Sequence, residues 1–474
     1  MRSELKRSVS RSGFFALAFG SMIGVGWVTA VGGWLNSAGP LGAILAFVAG
    51  GGLILMIGLC YAELCAMLPV SGGEVAYSYA AFGPSKSYAI GSLLAFGYLA
   101  VSVFEAISVA KVTGYLIPGI DRWPLYAVGG EVVYGSQLAL SLVTTAIITA
   151  VNYRGVRAAS RFQSGLVVLF AVAAAAFIGA GLVGGRIEHL TPAFGEQTAT
   201  LGPLRGVAAV FVTAPFWFVG FDTIPQAAEE AEAAIAPGAL ARLLIASIFG
   251  AALFYILVIL AVSMSAPWTE LAGGNLVAAE AFRRAFGSPL LSQLVLVAAL
   301  LGLFTSWNGF FLAGSRVLFA LGRGRMAPVV LGRAHGHYGT PSRAILVAGA
   351  VTFAGACLGR GALGVFINVG SFFVAFAFLG VTLSLLTLRR TRPELPRPFR
   401  APGGVALPML ASVGSVAIVL AMVLPFSPAA LTPLEWLVIS AVLALAVAGW
   451  TLGARTRTAT PPEERARLVL GDFA

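Results

Sequence analysis

Three groups of residues in this chain could do chemistry, and all three lie in stretches where water is scarce. The first is the run Gly20-Ser21-Met22-Ile23-Gly24-Val25-Gly26, set in the middle of the apolar stretch 13–35. Each interior glycine disfavours helix by about 1 kcal/mol relative to alanine. An unwound turn in hydrocarbon also strands its N–H and C=O groups unless protein, water or a ligand satisfies them. The run therefore predicts a helix broken at mid-membrane, with peptide groups freed to hold a small solute. Glycines at such spacing also let a neighbouring helix approach closely, so the reading needs a second interruption. Residues 210–230, VFVTAPFWFVGFDTIPQAAEE, supply one. Pro215, Gly220 and Pro225 recur there, and each proline removes a helical N–H and clashes with the preceding turn. Asp222 sits among them, where it can cap the following half-helix or face the solute. Phe216, Trp217, Phe218 and Phe221 flank the break, as core packing or as a ring over a cavity.

The second group is Glu105, alone in SLLAFGYLAVSVFEAISVAKVTGYLI. A carboxylate at membrane depth costs several kcal/mol unless it is protonated, paired or facing a wet cavity, which makes Glu105 a candidate for solute recognition or for carrying a coupling proton. Lys111 is six positions on, outside the three-or-four spacing at which helical side chains meet, and is expected to snorkel. The third group is Thr305, Ser306 and Asn308. Membrane hydroxyls usually bond back to their own helix; alternatively Thr305 and Ser306 join freed carbonyls as hard oxygen ligands for a sodium ion. Glu63 and Glu74, near the cytoplasmic boundary within cheap reach of water, are expected to be structural. Cys60, Cys65 and Cys357 fall in apolar spans and offer no disulfide framework. His335 and His337 have no carboxylate or thiol near them in sequence, so no metal site is expected.

The elements that must position these groups are membrane helices. Of the 474 residues, 58% are hydrophobic and 10% charged, with a mean hydropathy of +0.92, outside the range of a water-soluble fold of this length. Apolar runs predict twelve spans, near 13–35, 41–68, 87–116, 125–150, 162–184, 206–228, 242–265, 290–320, 343–359, 362–388, 405–425 and 432–452. The glycine-rich linker VSGGEVAYSYAAFGP after the second is expected to be re-entrant or interfacial. The net charge of +11 concentrates in the tails and in alternate loops, the positive-inside pattern. Both termini are thus expected in the cytoplasm, and the charge implies no nucleic-acid partner. The first span is too long for a cleaved signal and reads as a retained anchor. The two interruptions each open a block of five spans of opposite direction, an inverted repeat. The expected organisation is a 1–12 tail, five-helix units at 13–184 and 205–388, two further helices in 405–452, and a 453–474 tail. No intramembrane histidine, HExxH or GxSxG motif suggests an enzyme. A channel would need a continuous polar stripe, whereas the polar residues here gather at one level.

Four segments then acquire a common meaning: GSMIGVGW (20–27), YAELCAMLPVSGG (61–73), FVGFDTIPQAAEE (218–230) and NGFFLAGSRVLFALGRGRMAP (308–328). In this order and spacing the chain resembles the amino acid/polyamine/organocation permeases, the APC superfamily. The resemblance implies an all-α polytopic fold of twelve helices, five plus five inverted and two more. It also implies secondary active transport of an amino acid or related amine through the inner membrane, coupled to H+ or Na+, with no cofactor. Exchange and uniport stay open. On matching positions it places Ser21, Gly24, Val25 and Gly26 at a substrate carboxylate and the Met22 carbonyl near the amino group, with Ile23 in the same turn. It makes Phe216 the aromatic gate beside Trp217, Val219 a carbonyl donor to the ammonium, and Asp222 the acid after the Gly220 break. Half-helix N-termini favour anions and freed carbonyls favour cations, which suits a zwitterion. Coupling would run through Glu105, Asp222 or the Thr305 and Ser306 pair. Many relatives have serine at Val25, and some proton-coupled ones have lysine at the position of Phe170, so neither device is present. Glu105 falls where relatives carry a pocket-lining polar residue.

Overall fold

The computed structural model describes residues 5–117, 119–195, 202–271, 276–427 and 429–474; residues 1–4 of the predicted tail lie outside the described residues. Ser10 caps the first helix, α1 (Arg11–Met22), its hydroxyl accepting from Gly13 N at 3.1 Å. Helix α1 stops inside the glycine run. The chain resumes as α2 (Gly26–Thr29) and α3 (Val31–Met67). Helix α3 holds both the end of the first span and the whole second span, joined by a kink at Gly39 just before Pro40. Gly39 has φ +70°, and a Cβ there would sit 2.6 Å from the backbone of Phe194, so only glycine lets the two segments meet.

Next come α4 (Glu74–Phe82) and α5 (Pro84–Leu116). The linker before α4 does re-enter the protein: Val70 and Ser71 are buried, as are Glu63 and Glu74 at 0% exposure. The expectation that water reaches those two carboxylates is therefore corrected: Glu74 is enclosed where the linker folds back into the bundle, and Glu63 is covered by Arg389, Arg397 and the Ala401 backbone. A second correction concerns the fourth span. Pro124–Val128 (β1) and Glu131–Tyr134 (β2) form an antiparallel hairpin, and α6 (Gly135–Arg154) begins only after it. Gly129 and Gly130 both have positive φ, the requirement of a tight hairpin turn; an apolar count alone cannot tell that strand pair from the start of a helix.

The remainder is helical: α7 (Val156–Gly184), α8 (Pro203–Trp217), α9 (Thr223–Ala227), α10 (Pro237–Ser265), α11 (Trp268–Leu271), α12 (Val277–Phe286), α13 (Pro289–Arg323), α14 (Ser342–Ala356), α15 (Leu363–Thr391), α16 (Ala406–Val423), α17 (Pro433–Leu452), α18 (Ala454–Ala459) and α19 (Pro462–Leu470). Among the described residues ten helices are long and apolar enough to cross a membrane. Two shorter apolar ones, Leu204–Trp217 and Ser342–Ala356, bring the total to the predicted twelve. The chain is an all-α polytopic membrane protein.

Helix α5 is 83% buried along its most apolar window and α17 only 11%, which puts α5 at the centre and α17 at the lipid-facing rim. Around that centre α5 packs on α13, α3 on α10, and α6 on α14. Each pair joins a helix of the first five spans to one of the second five. Helices α16 and α17 both pack against α15, with α16 also touching α3 and α17 also touching α5.

Candidate functional site

Both sequence interruptions are real breaks, and they touch. The first begins where Ile23 N makes the last bond of α1, to Phe19 O at 3.2 Å. Beyond it the N–H groups of Gly24, Val25 and Gly26 donate to no acceptor among the described residues. The second break separates α8 from α9. Pro215 ends the regular ladder, Phe218 N and Val219 N bond back only to Pro215 O and Phe216 O at 3.2 Å, and Gly220 adopts φ +128°. A Cβ on Gly220 would lie 2.7 Å from Met22 N. Glycine at 220 is what allows one unwound turn to rest on the other.

Helix α13 seats the first break from the opposite side through small residues one or two turns apart. A Cβ on Gly302 would meet Ile23 O and Gly24 O at 3.0 Å, and one on Gly309 would overlap the Ser21 hydroxyl. Ser21 Oγ donates to Leu17 O at 2.5 Å. The freed Met22 carbonyl accepts from Tyr255 Oη at 2.8 Å, a cap that crosses 233 residues of sequence. Gly302, Gly309 and Tyr255 carried no signal of their own in the sequence, since their role exists only against the break.

Between the breaks is a chamber of about 40 Å³. Its walls include Ser21, Met22, Gly24, Val25 and Gly26 of the first break, Phe216, Trp217 and Val219 of the second, and Glu105 with Ser306 beside it. Val101, Phe104, Tyr255 and Phe310 complete it; they were not singled out because an aliphatic or aromatic residue in an apolar span looks like any other. Glu105 is 2% exposed, one of its oxygens has no partner, and a Cβ on Gly24 would lie 2.8 Å from the other. A water needs roughly 10–15 Å³ of such volume, so the chamber has room for only a few waters. A second cavity of about 220 Å³ lies between α8, α15 and α16, and Phe216, Trp217 and Val219 line both. These residues form the partition between the two spaces. The ring of Trp217 lies on Gly26, where a Cβ would be 2.2 Å from it, and stacks edgewise on Trp34 at 5.3 Å.

Four predicted site residues stand outside the chamber. Ile23 is fully buried in the core. Gly220 serves as the contact between breaks. Asp222 does not cap α9: its Oδ1 turns back to Gly220 N at 3.0 Å and its Oδ2 accepts from Tyr98 Oη at 2.6 Å. Thr305 Oγ1 donates to Gly302 O at 2.8 Å, the back-bonded alternative, and its Cβ faces Gly20 of α1. Asn308 belongs to a structural chain, accepting from Asn152 Nδ2 and donating to Gln163 Oε1, both at 2.9 Å.

A twelve-helix membrane bundle with two facing breaks around a small buried chamber defines the class of solute transporters. The family described as Amino acid permease matches residues 10–448, and the chain belongs to it. Similar proteins include the branched-chain amino acid permease BcaP of Bacillus subtilis, 27% identical over 86% of both chains. The methylthioribose transporter of the same organism is 25% identical over 86% of this chain and 87% of its own. Human Asc-type amino acid transporter 1 is 30% identical over 84% of this chain and 74% of its own.

Proposed function

We propose that this protein moves an amino acid or related amine across the bacterial cytoplasmic membrane by alternating access, as a secondary active transporter coupled to H+ or Na+, with both termini in the cytoplasm and the 13–184 and 205–388 units rocking against each other. The observation that carries the reading is the row of unpaired N–H groups at Gly24, Val25 and Gly26 facing a chamber that also holds Glu105. Unpaired donors at this depth are costly, and a solute carboxylate would relieve them. Val219, whose carbonyl accepts no hydrogen bond among the described residues, would take the ammonium. Phe216 and Trp217, shared by the two cavities, would open and close the route. Asp222 acts beside the chamber and not in it. Glu105 either carries the coupling proton opposite a neutral solute, in keeping with relatives named for branched-chain and Asc-type substrates, or pairs with a cationic one. Ser306, which lines the chamber beside Glu105, and Thr305 would serve a sodium ion if one is used.

The test is uptake of labelled amino acids and amines by purified protein in liposomes, with imposed pH or sodium gradients. Accumulation above empty liposomes, driven by one gradient, is expected. Movement only against solute loaded on the other side would make the protein an exchanger, and no movement of any solute in a broad panel would overturn the proposal.

A further inference from the structure

A second buried carboxyl group, Glu74, has a geometry that the chamber does not explain. It opens α4 at the end of the re-entrant linker and is 0% exposed. Its Oε2 accepts from Gln226 Nε2. Among the described residues its Oε1, Gln226 Oε1 and Tyr61 Oη have no partner in hydrogen-bond geometry, although Tyr61 Oη faces the Glu74 carboxyl. Three buried polar groups thus lack a well-placed partner at one place, which disfavours the folded state. The Tyr61 hydroxyl can donate to the Glu74 carboxylate, yet Gln226 Oε1 still has no donor while Glu74 is ionised, because a carboxylate only accepts.

Among the described residues no arginine, lysine or histidine is in ion-pair contact with Glu74, and Arg323 of α13 is taken up by Glu229, whose carboxylate also accepts from Ser71 N of the linker at 3.1 Å. Asp222 is close enough to Glu74 to interact electrostatically, and its two oxygens are held by Tyr98 and Gly220. The other titratable groups facing Glu74 are Tyr61 and Cys65 from α3, Tyr77 from α4 and Tyr98 from α5. Arg316 of α13 is engaged by Glu230 in a fully buried pair at 2.7 Å, and Arg465 of α19 lies near Tyr79 at the far end of α4. Two adjacent carboxylates without a base cannot both stay ionised. Sodium would want a cage of several free oxygens, and Asp222 has none to give.

We propose that Glu74 is a proton-binding site: a neutral carboxylic acid whose Oε1–H supplies the missing donor to Gln226, locking α9 to the re-entrant linker. The same interface is laced by Ser71 Oγ to Gln226 O at 3.2 Å and Gly72 N to Gln226 O at 3.3 Å. A Cβ on Gly73 would sit 2.7 Å from Pro225, so linker and half-helix are in close register. Loss of the proton to water leaves Glu74 ionised beside Asp222, and the repulsion bears directly on the half-helix that follows the second break. Proton binding is thereby tied to movement of α9. The inference rests on the transport reading for its consequence, while the protonation itself is independent of transport.

Two measurements separate those parts. Infrared difference spectra of the purified protein report the carbonyl stretch of a protonated carboxylic acid. That band is expected in the wild type at neutral pH, lost in Glu74→Gln, retained in Glu105→Gln, and restored in the exchanged pair Glu74→Gln with Gln226→Glu. A band unchanged in Glu74→Gln overturns the site, whether or not any solute is transported. In liposomes, Glu74→Gln should bring the ratio of uptake with and without a pH gradient down to parity, and the exchanged pair should recover it. Wild-type uptake driven by sodium and indifferent to pH, or a Glu74→Gln variant with the wild-type gradient ratio, would overturn the coupling role. If Glu74→Gln does not fold, the exchanged pair decides: recovery of fold and band supports the acid-amide lock, and a folded pair without the band refutes it.

Discussion

The molecule treats its buried carboxylates in two opposite ways. Glu230 and Glu63 are fully buried and matched by arginine: Arg316 grips Glu230 with two nitrogens at 2.7 and 3.1 Å. Arg389 and Arg397 converge on Glu63 together with Ala401 N at 2.8 Å. Glu105, Glu74 and Asp222 are as deeply buried and have no arginine, lysine or histidine in ion-pair contact among the described residues. The first kind fastens loops and tails to the bundle: Glu230 also receives Ser8 N and Val9 N through its backbone. The second kind clusters around the two breaks. A carboxylate neutralised by a fixed cation has no reason to change state, whereas one held only by hydroxyls and amides can gain or lose a proton at the place where the chain must move.

The strongest way to break this comparison is Arg316→Met. It leaves Glu230 buried without its cation and should destabilise the protein by ~3–5 kcal/mol, with most of that recovered when Glu230→Gln is added. Thermal unfolding in detergent measures it, and an unchanged Tm in the single variant would remove the distinction. Gly220→Ala comes next. Its positive φ and the 2.7 Å approach to Met22 N imply strain of ~1–3 kcal/mol and separation of the two breaks, so uptake should fall steeply. Gly52→Ala, with open space around its Cβ, is the matched control and should behave as wild type.

Glu105→Gln sharpens the comparison from the other side. Removing an unpaired buried charge should leave Tm unchanged or raised, while uptake drops about ten-fold, or ~1.4 kcal/mol, with a flattened pH profile if Glu105 carries a proton. Falling stability without lost uptake would assign Glu105 to the structural class. The smallest effect belongs to an exposed pair outside the membrane spans. Arg283 and Arg284 hold the Glu280 carboxyl down to about 2. Because the folded value is depressed, its stabilisation is present above the ordinary carboxylate range and is lost as pH falls toward 2. The group is exposed and screened by salt, so Glu280→Gln should change stability by only ~0.2–1 kcal/mol at neutral pH, read as a small Tm shift that vanishes at high salt.

Much of this was legible in the residues. Gly20 to Gly26 and Pro215 to Pro225 announce both breaks because glycine and proline act on the backbone locally, wherever the chain ends up. Glu105 stands out because a lone carboxylate in twenty apolar residues has few bland explanations. What escaped depends on pairing across long sequence separations. The partners of Glu230 and Glu74 are 86 and 152 residues away, so the chain order does not distinguish the acid with a cation from the acid without one. The position of Asp222 after the break suits both a cap and a place at the solute. An unwound turn has no helical phase to follow, however, and the side chain turns to Tyr98 instead. The 124–134 hairpin reads as the start of a membrane span because its valines and tyrosines are apolar; its two glycines are the signal that separates it.

The account depends most on the solute resting between the two breaks. In a background freed of the three native cysteines, a cysteine replacing Val101 in the chamber and another replacing Ser371 in the larger cavity can be timed against a thiol reagent. A transported solute should slow modification at 101 by an amount that saturates with solute concentration and leave 371 unprotected. Protection at 371 with none at 101 would contradict the central claim.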